Sequence, residues 1–183
     1  MKIRVLPFVF ALAALAACDN DPFRIHWEED PRESTLFALD REELNRPSAF
    51  NLRNRAPVVV ESVGSQGRWD FALDRMEGEL FLLPPRALGV PSEAGIVPIP
   101  DVDWDELLEA PADTTLYNSP DPVLLEVGTV YAVRTHRQPD GFGRSCLFYG
   151  KIQALEVNRP EGLLRFRHDR NPECGNRRLV PAN

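Results

Sequence analysis

The side chains in this sequence that could do chemistry are few and scattered. There are three histidines, His26, His136 and His168. No two have the close spacing, such as H-x-x-x-H, that puts two imidazoles on one metal ion. His168 falls in "LLRFRHD", among alternating apolar residues, and reads as a buried imidazole with one hydrogen bond; a ligand or acid–base role is the alternative. His136 follows "TVYAVRT" at the start of a polar loop and reads as solvent-facing. Asp101, Asp103 and Asp105 alternate as in a calcium loop. Such a loop needs Gly at its sixth position and Glu at its twelfth, and here those are Glu106 and Ala112. Helix capping explains the acids better. "PDGFGRS" (139–145) has two Gly and an Arg, but a strand follows it rather than the helix that a phosphate cradle needs. There is no G-x-S-x-G elbow. Asp and Glu number 28, so no carboxylate pair stands out, and enzymatic activity is not expected. With only 21 Lys and Arg the net charge is −7, which argues against nucleic-acid binding because phosphate contacts need a basic face.

The N-terminus is different in kind. Lys2 and Arg4 precede an apolar run, Val5 to Ala17, that is too short to span a bilayer but suits a signal peptide. The run ends in Leu15-Ala16-Ala17-Cys18, which resembles a bacterial lipobox. The resemblance implies a signal peptide over residues 1–17, cleavage before Cys18, a diacylglycerol thioether on that cysteine and acylation of the new amino terminus. Two or more acyl chains anchor a protein stably where one is marginal. An acidic mature surface would repel anionic headgroups, so anchoring would rest on the lipid. The expected location is the bacterial cell envelope. Asp19 resembles the inner-membrane retention signal of enteric-type sorting. That rule is not universal, so the outer membrane and the periplasmic face of the inner membrane both stay open. Residues 18–33 are acidic and broken by Pro, and read as a tether from which Phe23 and Trp27 could fold back onto the domain.

With Cys18 assigned to lipid, Cys146 and Cys174 remain, in an oxidising compartment where a pair is expected. "CLFYGKIQALEVN" (146–158) and "GLLRFRHD" (162–169) read as strands around the turn "NRPEG". Setting Val157 opposite Leu163 makes paired residue numbers sum to a constant, and Cys146 and Cys174 obey the same sum. The register puts Cys146, Phe148, Gly150, Ile152 and Ala154 on one face with Leu164, Phe166 and His168. It puts Lys151 opposite Asp169 and Gln153 opposite Arg167 on a solvated face, with a cross-strand ion pair.

The remaining elements are short and mostly extended. Ser34–Leu39, Pro57–Val63, Glu79–Leu83, Val123–Val127 and Thr129–Thr135 read as strands, with a further edge strand over 178–180. "RWDFALDR" (68–75) alternates, which turns Trp69, Phe71 and Leu73 inward and Asp70, Ala72 and Asp74 outward. Asp40–Glu43 and Asp103–Glu106 carry capping boxes for short helices. Residues 86–100 read as loop. The expected fold is one mostly β, antiparallel domain over 34–183, a sandwich or curled sheet with one or two short helices.

Four segments together, "RWDFALD" (68–74), "VYAVRT" (130–135), "YGKIQALEV" (149–157) and "LLRFRHD" (163–169), resemble the HmuY-like family of bacterial haem-binding lipoproteins. The resemblance implies a β-rich domain tethered by a lipidated cysteine. It also implies haem ligands, His or Met, in loops between Trp69 and Val130, where this chain has no His and only Met76. The expected function is a non-enzymatic, lipid-anchored envelope protein that binds a partner protein or small ligand, with no cofactor. One alternative is a haem or metal scavenger, with His168 and Met76 as candidate ligand-binding residues. The other is an envelope hydrolase with an unrecognised carboxylate site.

Overall fold

The computed structural model describes residues 27–181. The segment read as a signal peptide, with Cys18, Asp19, Phe23 and His26, lies outside the described residues. Twelve strands form two five-stranded antiparallel sheets and one small hairpin. The first sheet has β1 (Arg32–Phe37), β12 (Leu163–Arg170), β11 (Tyr149–Asn158), β8 (Val130–Arg134) and β6 (Gly95–Ile99) side by side in that order. The second has β3 (Ala56–Val58), β2 (Ala49–Asn51), β4 (Phe71–Met76), β5 (Glu79–Leu83) and β7 (Val123–Leu124). The hairpin pairs β9 (Gln138–Pro139) with β10 (Ser145–Cys146). Among the described residues, no helix is long and apolar enough to cross a membrane.

The sheets face each other as a sandwich because alternation along each strand gives each sheet an apolar face that must be covered. Leu36, Phe50, Phe71, Leu73, Tyr131 and Phe166 belong to the shared core, drawn from both sheets. Phe50 and Phe166 meet edge to face at 5.1 Å. The β4–β5 hairpin turns on Glu77 and Gly78, both at positive φ, as a tight two-residue turn requires. In β4, Phe71 and Leu73 point into the core as the alternation predicts. Trp69 and Asp70 do not follow it, because the strand begins only at Phe71. Trp69 packs with Ala49, Ala72 and Leu83 on the outer face of the second sheet, and Asp70 is fully buried rather than outward.

The β11–β12 hairpin has the predicted register over most of its length. Gly150, Lys151, Ile152, Gln153 and Ala154 face Arg170, Asp169, His168, Arg167 and Phe166. Nearer the turn, Val157 pairs with Leu164, not Leu163, and an irregularity between Ala154 and Glu156 absorbs the one-residue offset. Cys146 lies outside β11, in β10, and is bonded to Cys174. The second face of this hairpin is only partly solvated: Gln153 and Arg167 are half-buried and Arg165 is exposed, but the end at Lys151 and Asp169 is covered. Lys151 is 1% exposed and donates to the carbonyls of Trp104 (2.7 Å) and Leu107 (3.2 Å). The Trp104 ring has Lys151 Nζ at 4.7 Å and the Arg167 guanidinium at 4.4 Å. Asp169 pairs with Arg55 at 2.5 Å, so the expected Lys151–Asp169 ion pair is replaced. Which residues share a face follows from register; what covers that face does not.

Other boundaries move for local reasons. Residues 86–100 hold a short 3-10 helix (Pro85–Leu88) and strand β6. Pro98 is tolerated there because β6 is an edge strand. Gly95 is required, since a Cβ would stand 2.1 Å from the Tyr117 carbonyl oxygen. The second 3-10 helix is Thr114–Asn118, capped by the Asp113 side chain on Thr115 N–H. The helices expected at Asp40–Glu43 and Asp103–Glu106 are only turns. At the second, Glu106 does return to the Asp103 N–H at 3.0 Å, but the turn does not propagate. Strand β3 stops at Val58, and 178–180 contribute one bridge, Arg178 to Glu109. Strand β1 begins at Arg32, two residues inside the segment read as tether.

His168 is buried between Phe50 and Phe166, and its Nε2 lies 3.1 Å from Ser34 Oγ. Its Nδ1 has no partner. Burial, with Arg55 and Arg32 nearby, pushes the imidazole down to about 4. The unfolded imidazole protonates near 6.5, so between that pH and about 4 protons favour the unfolded chain, and stability falls as pH falls. The stability advantage of wild type over His168→Gln is expected to shrink by roughly 2 kcal/mol between pH 7 and pH 5 in urea titrations.

Candidate binding cleft

One carboxylate organises the region between the end of β8 and the β9–β10 hairpin. Asp70 Oδ2 accepts from Leu52 N–H at 2.7 Å. Its Oδ1 accepts from His136 N–H at 2.7 Å and from His136 Nδ1 at 2.6 Å. A carboxylate this deep is tolerated because three donors replace its water. A carboxylate only accepts, so the His136 proton sits on Nδ1 and Nε2 is left as the ring's free nitrogen. The ring is mostly buried rather than solvent-facing.

His136 stands on the wall of an open cleft of about 780 Å³. Across from it, the 56–68 segment brings Val58, Ser62, Val63 and Arg68. Asn51 holds the floor together. Its Nδ2 donates to the Arg68 carbonyl at 2.9 Å and to Gln138 Oε1 at 3.3 Å, while its Oδ1 accepts from Asn54 N–H. Gln138 is 6% exposed, and its Nε2 has no hydrogen-bond partner. A smaller lobe of about 420 Å³ shares Gly67, His136 and Arg137 with the first and adds Arg86 and Glu93. There Arg137 pairs with Glu93 at 2.5 Å.

This arrangement can bind. The Asp70–His136 pair is also the orienting half of a nucleophilic dyad, but among the described residues no hydroxyl or thiol is hydrogen-bonded to the His136 ring; the Thr135 hydroxyl donates to the His136 carbonyl instead. Among them, no three His, Cys, Asp or Glu come together as a metal site. Cys146 and Cys174 form the disulfide. His168 contacts the inner core, whereas Met76 packs against the outer cluster around Trp69, so the two candidate ligand residues are not brought together. Neither lines the cleft beside His136. Asp70, Asn51, Arg68 and Gln138 were not legible as site residues, because their partners lie 17 to 87 positions away in sequence. A hint existed in "RTHRQ" (134–138), a polar run that begins where the apolar alternation of "VYAV" (130–133) stops.

Asp70→Asn keeps the shape but turns an amide N–H₂ toward backbone donors. It should destabilise the fold by about 2–4 kcal/mol in urea titration, whereas His136→Gln, which leaves two donors on Asp70, should cost clearly less.

No protein-family model matches the chain, and neither a curated protein nor a solved structure matches it significantly.

Proposed function

We propose that this protein is a lipid-anchored component of the bacterial cell envelope that binds a small polar ligand in the cleft beside His136 without transforming it. The observation that carries the binding reading is the cleft itself. Its volume, about 780 Å³, falls in the range of small-molecule sites. It is preformed: Asp70 locks one wall and Asn51 ties the floor. It also holds a buried amide nitrogen, Gln138 Nε2, that lacks an acceptor, and a ligand oxygen would satisfy it. The anchoring reading rests on Lys2, Arg4, the apolar run and Leu15-Ala16-Ala17-Cys18. A lipid on Cys18 would keep the cleft at high local concentration beside the membrane.

Each half has its own test. Cys18→Ser should abolish labelling with a palmitate analogue and either release the protein from membranes or leave it unprocessed; normal labelling of that variant would overturn the anchor. For the cleft, Ser62→Trp fills it from an exposed position. In native mass spectra of the chain incubated with envelope extract, wild type should retain a small molecule and Ser62→Trp should not. Equal retention by both would sink the cleft as the site.

A further inference from the structure

The charges around the cleft are unlike those of the rest of the chain. Acids outnumber bases overall, 28 to 21. Yet the larger lobe is lined by Arg68 and Arg137 and by no Asp or Glu. The smaller lobe adds Arg86, and its one acid, Glu93, is taken by Arg137. The carboxylate behind His136, Asp70, is consumed by three donors. Glu61, a neighbour in sequence, is paired with Arg41 at 2.8 Å.

Arg68 stands out among these cations. Many exposed arginines of this protein have a carboxylate partner, among them Arg32, Arg46, Arg144, Arg159 and Arg165. Arg137, at the cleft, has Glu93. Arg68 is exposed, and among the described residues its side chain has neither an ion pair nor a hydrogen bond nor an aromatic face. Its backbone, in contrast, is fixed: Arg68 N–H donates to the Ser65 carbonyl at 3.0 Å, and Asn51 takes its own carbonyl. A free cation is thus held on a rigid base at the lip of a cleft. The same cleft is lined by Gln138, whose buried Nε2 has nothing to donate to. Both features ask for the same thing in a ligand, which is oxygen acceptors and negative charge.

We infer that the cleft selects an anion: a small organic carboxylate or phosphate whose charged oxygens meet Arg68 and one of whose acceptors takes the Gln138 amide. The inference rests on the cleft being the binding site. The apolar part of the wall, Val58, Val59 and Val63, suits the body of such a molecule. In an envelope the same chemistry could come from a free metabolite or from an anionic lipid headgroup.

The test uses the full chain in non-ionic detergent and calorimetric titration with matched probes: glucuronate against glucose, and glycerol phosphate against glycerol. The charged member of at least one pair should bind at least tenfold more tightly than the neutral one. That preference should be lost in Arg68→Glu and reduced in Arg68→Gln, both checked for folding by circular dichroism. Micelles doped with phosphatidylglycerol separate the sources. Arg68-dependent binding to them, without binding of free glycerol phosphate, assigns the headgroup; Arg68-dependent binding of the free probe assigns a metabolite. Equal affinity within both pairs, no binding of any anion, or an unchanged preference in Arg68→Glu would each overturn the anion. Failure of the cleft itself looks different. If Arg68→Glu keeps the envelope-derived molecule that Ser62→Trp loses, the anion is wrong and the cleft is right. If Ser62→Trp also keeps it, the cleft is wrong.

Discussion

The burial of the Asp70 carboxylate is the constraint on which the functional end of this molecule depends. A charge removed from water must find donors, and this one finds three, on Leu52 and His136. Leu52 follows β2 in one sheet and His136 follows β8 in the other. The carboxylate therefore ties the two sheets where no ladder can, and it sets the direction in which the chain leaves β8. The positions of His136, Arg137 and Gln138 follow from that exit. The disulfide secures the other leg of the same hairpin, since Cys146 pairs with Gln138 in the β9–β10 ladder and is bonded to Cys174.

A second buried charge does comparable work on the opposite face. Lys151 projects from β11 under the segment that follows β6, and its ammonium takes two carbonyls from the turn at 104–107. Burial pushes this lysine down from its ordinary range, while Glu29, Asp105 and Asp169 pull it back up. The Trp104 ring is in cation–π contact with both Lys151 and Arg167. The turn is held by a cation from the sheet in place of the further helical turns that the capping pattern anticipates. Leu107, Ala110 and Tyr117 then cover Val130, Ala132 and Tyr149, so this sheet is packed on both faces.

The charges at the cleft are committed unevenly. Asp70 spends its capacity on structure, and the cations that remain at the cleft face outward from rigid backbone. Pre-organisation of this kind lowers the cost of ligand binding, because neither wall has to order itself when the ligand arrives. The exposed Val63 and Arg68 sit on one segment and the buried Gln138 on another, so a ligand would bridge the loop of one sheet and the hairpin of the other.

Much of this was written in local patterns. Alternation in 71–74 and 163–168 gave the inner faces of β4 and β12, the expected hairpin put Ile152 opposite His168 although the register next to the turn is offset by one until the irregularity at Ala154/Glu156, and the signal-like start with Leu15-Ala16-Ala17-Cys18 singled out one cysteine from the other two. Such features depend on neighbours within a few residues, and a period of two or a turn is visible in one dimension. What covers a face is not. Asp70 and Lys151 both occupy positions that alternation sends to solvent, and both are buried because distant segments fold over them. The cleft has the same character: Asn51, Arg68, Asp70, His136 and Gln138 come from three parts of the chain. The sequence alone determined a mostly antiparallel β-domain and which two cysteines are left to pair, because strand periodicity and turns are local and the third cysteine ends the apolar run. Only the tertiary structure decided which polar residues face each other across the sheets, because that depends on how long connections pack and on where buried charges find their donors.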